Sequence, residues 1–269
     1  MLVFLPRYLY FLYSYDTKHL LIRLINVQNY DKLDRYFYRD VLCLNIEVKN
    51  IMAKKHISIK DESVVELRKK DSHLGKLIEI IGDLEIETRP DFFKSLVRSI
   101  IGQQVSVQSA EAVYHRLKKL TNNELTVEKL SLMTVEDFQG VGLSARKIKY
   151  IQDLIHHISR GELDLNELKN LDNQTVIKTL TNVKGIGKWT AEMFLIFSLG
   201  RMDVLAIDDI GLQRGAKWLY QVDKSERRSI LIEKEPIWYP HLTIAACYLW
   251  EIVHLQYTTL YQSIDEITL

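Results

Sequence analysis

The turn Lys184-Gly185-Ile186-Gly187 constrains this chain more than any other feature. Two glycines separated by one apolar residue make a tight turn, because each can adopt backbone angles closed to other residues. An apolar helix follows at once, Trp189 to Leu199, so the N–H groups of the turn and of that helix's first turn converge. Such a junction is a ready site for one phosphate. The helix is apolar on nearly every side and therefore belongs in a core. Downstream, the short apolar run Val204-Leu205-Ala206-Ile207 leads into the paired acids Asp208 and Asp209.

The rest of the chain from residue 53 onward reads as helical. Amphipathic spacing predicts helices over 62–70 and 74–81, the second ended by Gly82. Asp91 is placed to cap a helix from Phe92 to Ile101, Gly102-Gln103-Gln104 breaks it, and Ser106 caps the next, which runs to Leu120. Thr134 opens a short helix. Ser144 caps a longer one with Ala145, Ile148, Ile151, Ile155 and Ile158 on one face, and Asp172 begins the helix that leads into the turn. Beyond Asp209 the pattern predicts helices over 212–220, 225–233 and 241–257. Convincing alternating strands are absent from 53–269, so the fold class is all-α, with short connections suited to antiparallel packing.

Residues 1–52 differ in composition. They hold no alanine and no glycine but seven of the fourteen tyrosines: Tyr8, Tyr10, Tyr13, Tyr15, Tyr30, Tyr36 and Tyr38. We read them as an N-terminal extension, either a small appendage, β-rich on one reading, or the product of a misassigned start, with Met52 an alternative first residue. The domain proper is 53–269. Pro6 and Arg7 interrupt the apolar N-terminus, and no segment approaches the roughly 18–20 apolar residues needed to cross a bilayer. No membrane partner and a cytoplasmic location, nucleoid-associated if the source is bacterial, are therefore expected, for a monomeric protein. Cys43 and Cys247 are the only cysteines, which excludes a four-thiolate metal or iron–sulfur site. None of the eight histidines has metal-ligand spacing, so no metal centre of that kind is expected. A formal net charge of +1 means that any grip on nucleic acid must come from local donors and not from a global basic field.

A phosphate-holding turn fixes a strand without reading its sequence. With an aromatic plane at Trp189 and a carboxylate at Asp209 lining one cavity, the set suits an enzyme that stacks an extruded base and acts at its sugar carbon. The sequence resembles the helix-hairpin-helix DNA glycosylase superfamily, in its 3-methyladenine DNA glycosylase II branch. Five stretches in family order carry the resemblance: 96–106, 142–147, 183–192, 201–211, and 238–240 together with 245–250. It implies two packed helical subdomains and a partner in double-stranded DNA containing alkylated bases. Asp209 would be the catalytic carboxylate, and Trp189 and Trp250 the walls that stack on the flipped base. Gly185, Gly187 and Thr190 would give main-chain donors to a phosphate, with a monovalent cation on the hairpin carbonyls and no cofactor otherwise required. Gln104 falls where the family fills the gap left by the extruded nucleotide. Lys184 and Ile207 stand where members often have proline, which predicts a looser hairpin and a less constrained approach to Asp209.

Members that also cut the strand carry a lysine nucleophile two positions after the second hairpin glycine. Here that position is Trp189, with Lys188 one residue early on another helix face, so a monofunctional hydrolase is expected. An alkylated purine is a cation and leaves with little protonation, so one carboxylate suffices. By default Asp208 and Asp209 would cap the next helix and Trp250 would be core; with the other stretches in view, Asp209 is the catalytic acid and Asp208 a capping or supporting one. Alternatives are a glycosylase for another purine lesion and a non-catalytic DNA-binding protein that keeps the hairpin.

Overall fold

A computed structural model describes residues 53–267; the expected extension over 1–52 lies outside the described residues. In chain order the elements are β1 (Ala53–Ile57), α1 (Glu62–Lys70), α2 (Ser72–Ile81), β2 (Leu84–Thr88), α3 (Phe92–Gly102), α4 (Val107–Leu120), α5 (Val127–Ser131), α6 (Val135–Gly140), α7 (Ala145–Ser159), α8 (Asn173–Thr181), α9 (Lys188–Phe197), α10 (Ile210–Tyr220), α11 (Ser229–Trp238), α12 (Leu242–His254) and α13 (Tyr257–Leu260). Asp91, Ser106, Thr134, Ser144 and Asp172 each accept a hydrogen bond from the backbone N–H three residues on, so the predicted N-caps are present. The helix expected over 225–233 instead spans Ser229–Trp238 and contains Pro236.

The expectation of no strands is corrected. β1 and β2 pair antiparallel from Ala53↔Thr88 to Ile57↔Leu84. In β2 the alternation Leu84-Glu85-Ile86 buries the first and third residues and exposes the second, but five residues are too short for the pattern to stand out. β1, Ala-Lys-Lys-His-Ile, shows no alternation of its own and is a strand only because β2 lies beside it.

The helices divide around two cores. One is enclosed by α3 to α9, with Leu96, Ile100, Leu117, Phe138, Ile151, Leu180 and Leu195 inside. The other joins the two ends of the domain: Ile57, Val64, Leu67, Leu77 and Ile86 pack with Leu212, Trp238, Tyr248 and Ile252. Each such side chain contributes about 1.5–3 kcal/mol when removed from water. Met193, Phe197 and Trp250 touch both cores and mark the seam between them. Trp218 and Trp238, read from sequence as core, are 6% and 0% exposed.

A buried carboxylate ties the two ends of the second core. Asp71 caps α2 by accepting from Leu74 N–H at 3.0 Å, and its other oxygen accepts from Tyr220 Oη at 2.7 Å and Trp238 Nε1 at 3.1 Å. Close approach of α10 and α12 completes this core. A Cβ on Gly215 would stand 2.4 Å from the carbonyl oxygen of Leu249, so only glycine lets the helix bearing Trp250 come this near.

In the hairpin between α8 and α9 only one glycine uses its conformational freedom. Gly185 has φ +86°, and a Cβ there would lie 2.2 Å from the Tyr150 ring. Gly187, expected to need the same freedom, has φ −91° and ψ 174°, ordinary extended backbone, and open space where a Cβ would be.

Two stability outcomes follow from these contacts. Asp71→Ala removes a cap and strands two buried donors, and should lower the unfolding free energy by about 3 kcal/mol in urea titration. Gly185→Ala should cost about 2–4 kcal/mol through left-handed strain and overpacking, whereas Gly187→Ala should stay within about 1 kcal/mol of the parent. Equal losses for the two glycines would contradict this account.

Candidate active site and nucleic-acid interface

Asp209 stands where the connection from α9 enters α10, at the seam between the cores. It is the N-cap of α10, its Oδ1 accepting from Leu212 N–H at 2.7 Å. Trp250 Nε1 donates to the same oxygen at 3.0 Å, and Trp189 Nε1 donates to Oδ2 at 2.7 Å. The capping role and a chemical role are therefore not alternatives: the cap, with the two indoles, fixes the direction of the carboxylate.

The two tryptophans reach Asp209 differently. Trp250, on α12, is half-buried and stacks on Phe197, with centroids 5.8 Å apart and planes at 30°. Behind Phe197 the Arg89 guanidinium lies 5.5 Å from the ring centroid, and Arg89 N–H donates to the Phe197 carbonyl at 2.7 Å. Trp189 is 48% exposed, so the helix read as apolar on nearly every side and placed in a core presents a large ring to solvent in its first turn. Its hydrogen bond to Asp209, and not core packing, sets the orientation of that ring. An exposed indole and a half-buried one thus flank a single carboxylate.

Charged groups adjoin this trio. Asp208 accepts from Arg228 Nε at 2.8 Å, and Lys188 Nζ lies 3.9 Å from its other oxygen. The Arg228 hydrogen bond holds the Asp208 carboxyl below the ordinary range. Sequence reading passed over Glu192, which the structure buries to 4% exposure within apolar α9. One oxygen is 3.5 Å from Lys188 Nζ, and the other is buried with no hydrogen-bond partner. Burial pushes this carboxyl above its usual range. The available signal was a lone acid in an apolar run, three residues after Trp189 and four after Lys188.

The hairpin and the α3–α4 turn are held side by side. The first N–H groups of α9, those of Lys188, Trp189 and Thr190, have no acceptor inside the helix, and Gly187 as N-cap offers no side chain to them. Thr190 itself is 5% exposed, so only its main chain is in question for an incoming anion. Gln104 is exposed at φ +56° at the tip of the α3–α4 turn, and Arg146 Nη2 donates to its Oε1 at 2.8 Å. Neighbouring Gln103, which sequence reading left unassigned, donates from Nε2 to the Gly185 carbonyl at 2.7 Å. One helix supports both loops: from α7, Lys147 Nζ donates to the Ile101 carbonyl at 2.7 Å, Tyr150 lies under Gly185, and Asp153 accepts from Lys184 N–H at 2.8 Å and Lys184 Nζ at 3.0 Å. Where a looser hairpin is expected from the missing proline, the N–H that a proline would lack is used here as an anchor. Ile207 is likewise pinned, donating to the Leu205 carbonyl at 2.9 Å and accepting from Gln213 Nε2 at 2.9 Å.

Among the described residues no cluster of histidine, cysteine, aspartate and glutamate could hold a metal, and no helix is long and apolar enough to cross a membrane. The hairpin does offer carbonyl oxygens. Those of Val183 and Gly185 already accept from Ile186 N–H and Gln103, leaving each a second lone pair.

Known proteins resemble this chain in sequence and fold. Residues 97–237 match the family described as HhH-GPD superfamily base excision DNA repair protein. DNA-3-methyladenine glycosylase 1 of Schizosaccharomyces pombe is 32% identical over 208 residues, covering 72% of this chain and 91% of that protein. A DNA-3-methyladenine glycosidase crystal structure from Bacillus halodurans is 41% identical with a TM-score of 0.72, covering 79% of this chain and 98% of that one. The S. pombe 3-methyladenine DNA glycosylase Mag1, solved in complex with abasic DNA, is 31% identical with a TM-score of 0.62, covering 71% and 96%. With two helical cores, a glycine hairpin and an acid at their seam, the chain belongs to the HhH-GPD superfamily of base excision DNA repair proteins, in its 3-methyladenine DNA glycosylase branch.

Proposed function

We propose that this protein is a monofunctional DNA glycosylase that flips alkylated purines such as 3-methyladenine and 7-methylguanine out of the duplex and hydrolyses their N-glycosidic bond. The observation that carries this reading is the Asp209 carboxylate, held by Trp189 Nε1, Trp250 Nε1 and Leu212 N–H beside the unsatisfied N-terminus of α9. In this role the N–H groups of Gly187 to Thr190 grip one phosphate next to the lesion, and Gln104 enters the gap left by the flipped nucleotide. A monovalent cation on the remaining hairpin lone pairs would add positive charge near that phosphate.

The chemistry needs little from the protein. As the bond from C1′ to the base nitrogen breaks, its electron pair moves onto the cationic purine, which leaves neutral. Positive charge develops on the sugar, and the ionised Asp209 stabilises it. Water then adds to C1′ and gives up one proton to the carboxylate or to solvent. Electron-rich indole faces favour a cationic base by about 0.5–2 kcal/mol per contact. A damaged pair also opens at lower cost than an intact one, adding selection before the pocket is reached.

Three experiments test the reading. Release of 3-methyladenine, 7-methylguanine, ethenoadenine and hypoxanthine from defined duplexes should show the alkylated purines excised fastest. Preference for hypoxanthine or ethenoadenine would indicate a different purine lesion, and binding without any release would indicate a non-catalytic hairpin protein. Asp209→Asn keeps a side-chain oxygen for the cap, so it should preserve folding and DNA affinity while lowering single-turnover excision by about a thousandfold or more. Because Trp189 replaces the amine that a Schiff base requires, borohydride should trap no enzyme–DNA adduct. A trapped adduct would overturn the monofunctional assignment.

A further inference from the structure

The geometry points to Glu192 as a charge-selective specificity residue of the pocket, its buried carboxyl favouring bases that carry positive charge over neutral ones of similar shape. This inference rests on the glycosylase reading above.

Glu192 lies three residues after Trp189, on the same face of α9. It is 4% exposed, and one carboxyl oxygen has neither a partner nor access to water. Burying an acid this way is costly, and an apolar residue would fill the space at lower cost. The charged groups that face it are Lys188 from its own helix and Asp208 and Asp209 from the segment entering α10; Arg228 is engaged with Asp208. Among the described residues the cation paired with it is Lys188, at 3.5 Å and itself 58% exposed.

Lys188 is also the first residue of α9, at the helix end proposed to grip phosphate. In the DNA complex the phosphate competes for this ammonium. Glu192 is then left beside the pocket with two further acids and no positive partner. A flipped cationic base restores the missing charge, whereas a neutral base does not and leaves the carboxyl uncompensated. Discrimination of this kind comes from penalising the wrong ligand as much as from binding the right one. Burial pushes the Glu192 carboxyl upward and Lys188 pulls it back, which fits a group whose charge depends on its neighbours.

The test is the ratio of single-turnover excision rates for cationic 7-methylguanine and neutral ethenoadenine, measured with the full-length protein. Glu192→Gln, nearly isosteric, should lower that ratio about tenfold, while Glu192→Asp, which keeps the charge, should hold it within about twofold of the parent. Lys188→Gln, an exposed change that does not threaten folding, should slow both substrates and leave the ratio at or above the parental value. Equal slowing of both lesions by Glu192→Gln, no change in either rate, or a ratio that collapses in Glu192→Asp as well would overturn the inference and leave the glycosylase assignment intact. A parent protein that releases no base from any substrate would remove both.

Discussion

The three-way grip on the Asp209 carboxylate is the interaction on which the rest of this structure converges. Its donors come from three elements: Trp189 from α9, Trp250 from α12 and Leu212 from α10. Hydrogen bonds to an ionised acceptor are shorter and stronger than neutral ones and keep the acid in a single direction. The same indoles that would stack on a base therefore also aim the acid. On the proposed reading a ring that moved away from Asp209 would disturb recognition and chemistry together; the hydrogen bond to Asp209 holds Trp189 in place although the ring is 48% exposed.

That grip is possible only because the second core is discontinuous. Residues before α3 and after α9 form one lobe, so α12 is brought against α9 by contacts far apart in sequence. Gly215 lets α12 approach α10, and Asp71 locks the two ends of the domain through Tyr220 and Trp238. Phe197 and Trp250 then stack across the seam. Asp209 thus stands where helices of the two cores meet, flanked by elements from both.

Much of this was legible in the residues. The caps at Asp91, Ser106, Ser144 and Asp172 and the apolar stripes behind them located most helices, because a cap and a period are local properties. Asp209, Trp189, Gly185 and Gly187 were found through the motif, and Trp250 through family order. What escaped was non-local. Strand β1 has no pattern until β2 is placed beside it, and Glu192 looked like any acid until its helix was packed. Gln103, Tyr150 and Asp153 act on a hairpin far along the chain, and no spacing rule connects them. Gly187 illustrates the opposite error. Its presence suggested a backbone constraint, yet its φ is ordinary, so the missing side chain matters for the open space outside the turn.

The hairpin also shows how one device replaces another. Proline before such a turn would stiffen it by limiting the unfolded chain. Lys184 gives up that advantage, but its N–H and its ammonium are both held by Asp153. The turn is thereby bolted to α7, which also carries Arg146 against Gln104 and Lys147 against the end of α3. A proline hairpin would be rigid in itself; this one is rigid relative to the neighbouring loop. For a protein with a net charge of only +1, that distinction has consequences. Few phosphates can be held by charge alone, so on the proposed glycosylase reading the hairpin and Gln104 would have to meet the duplex at a fixed separation. The brace from α7 supplies that spacing without requiring a basic surface.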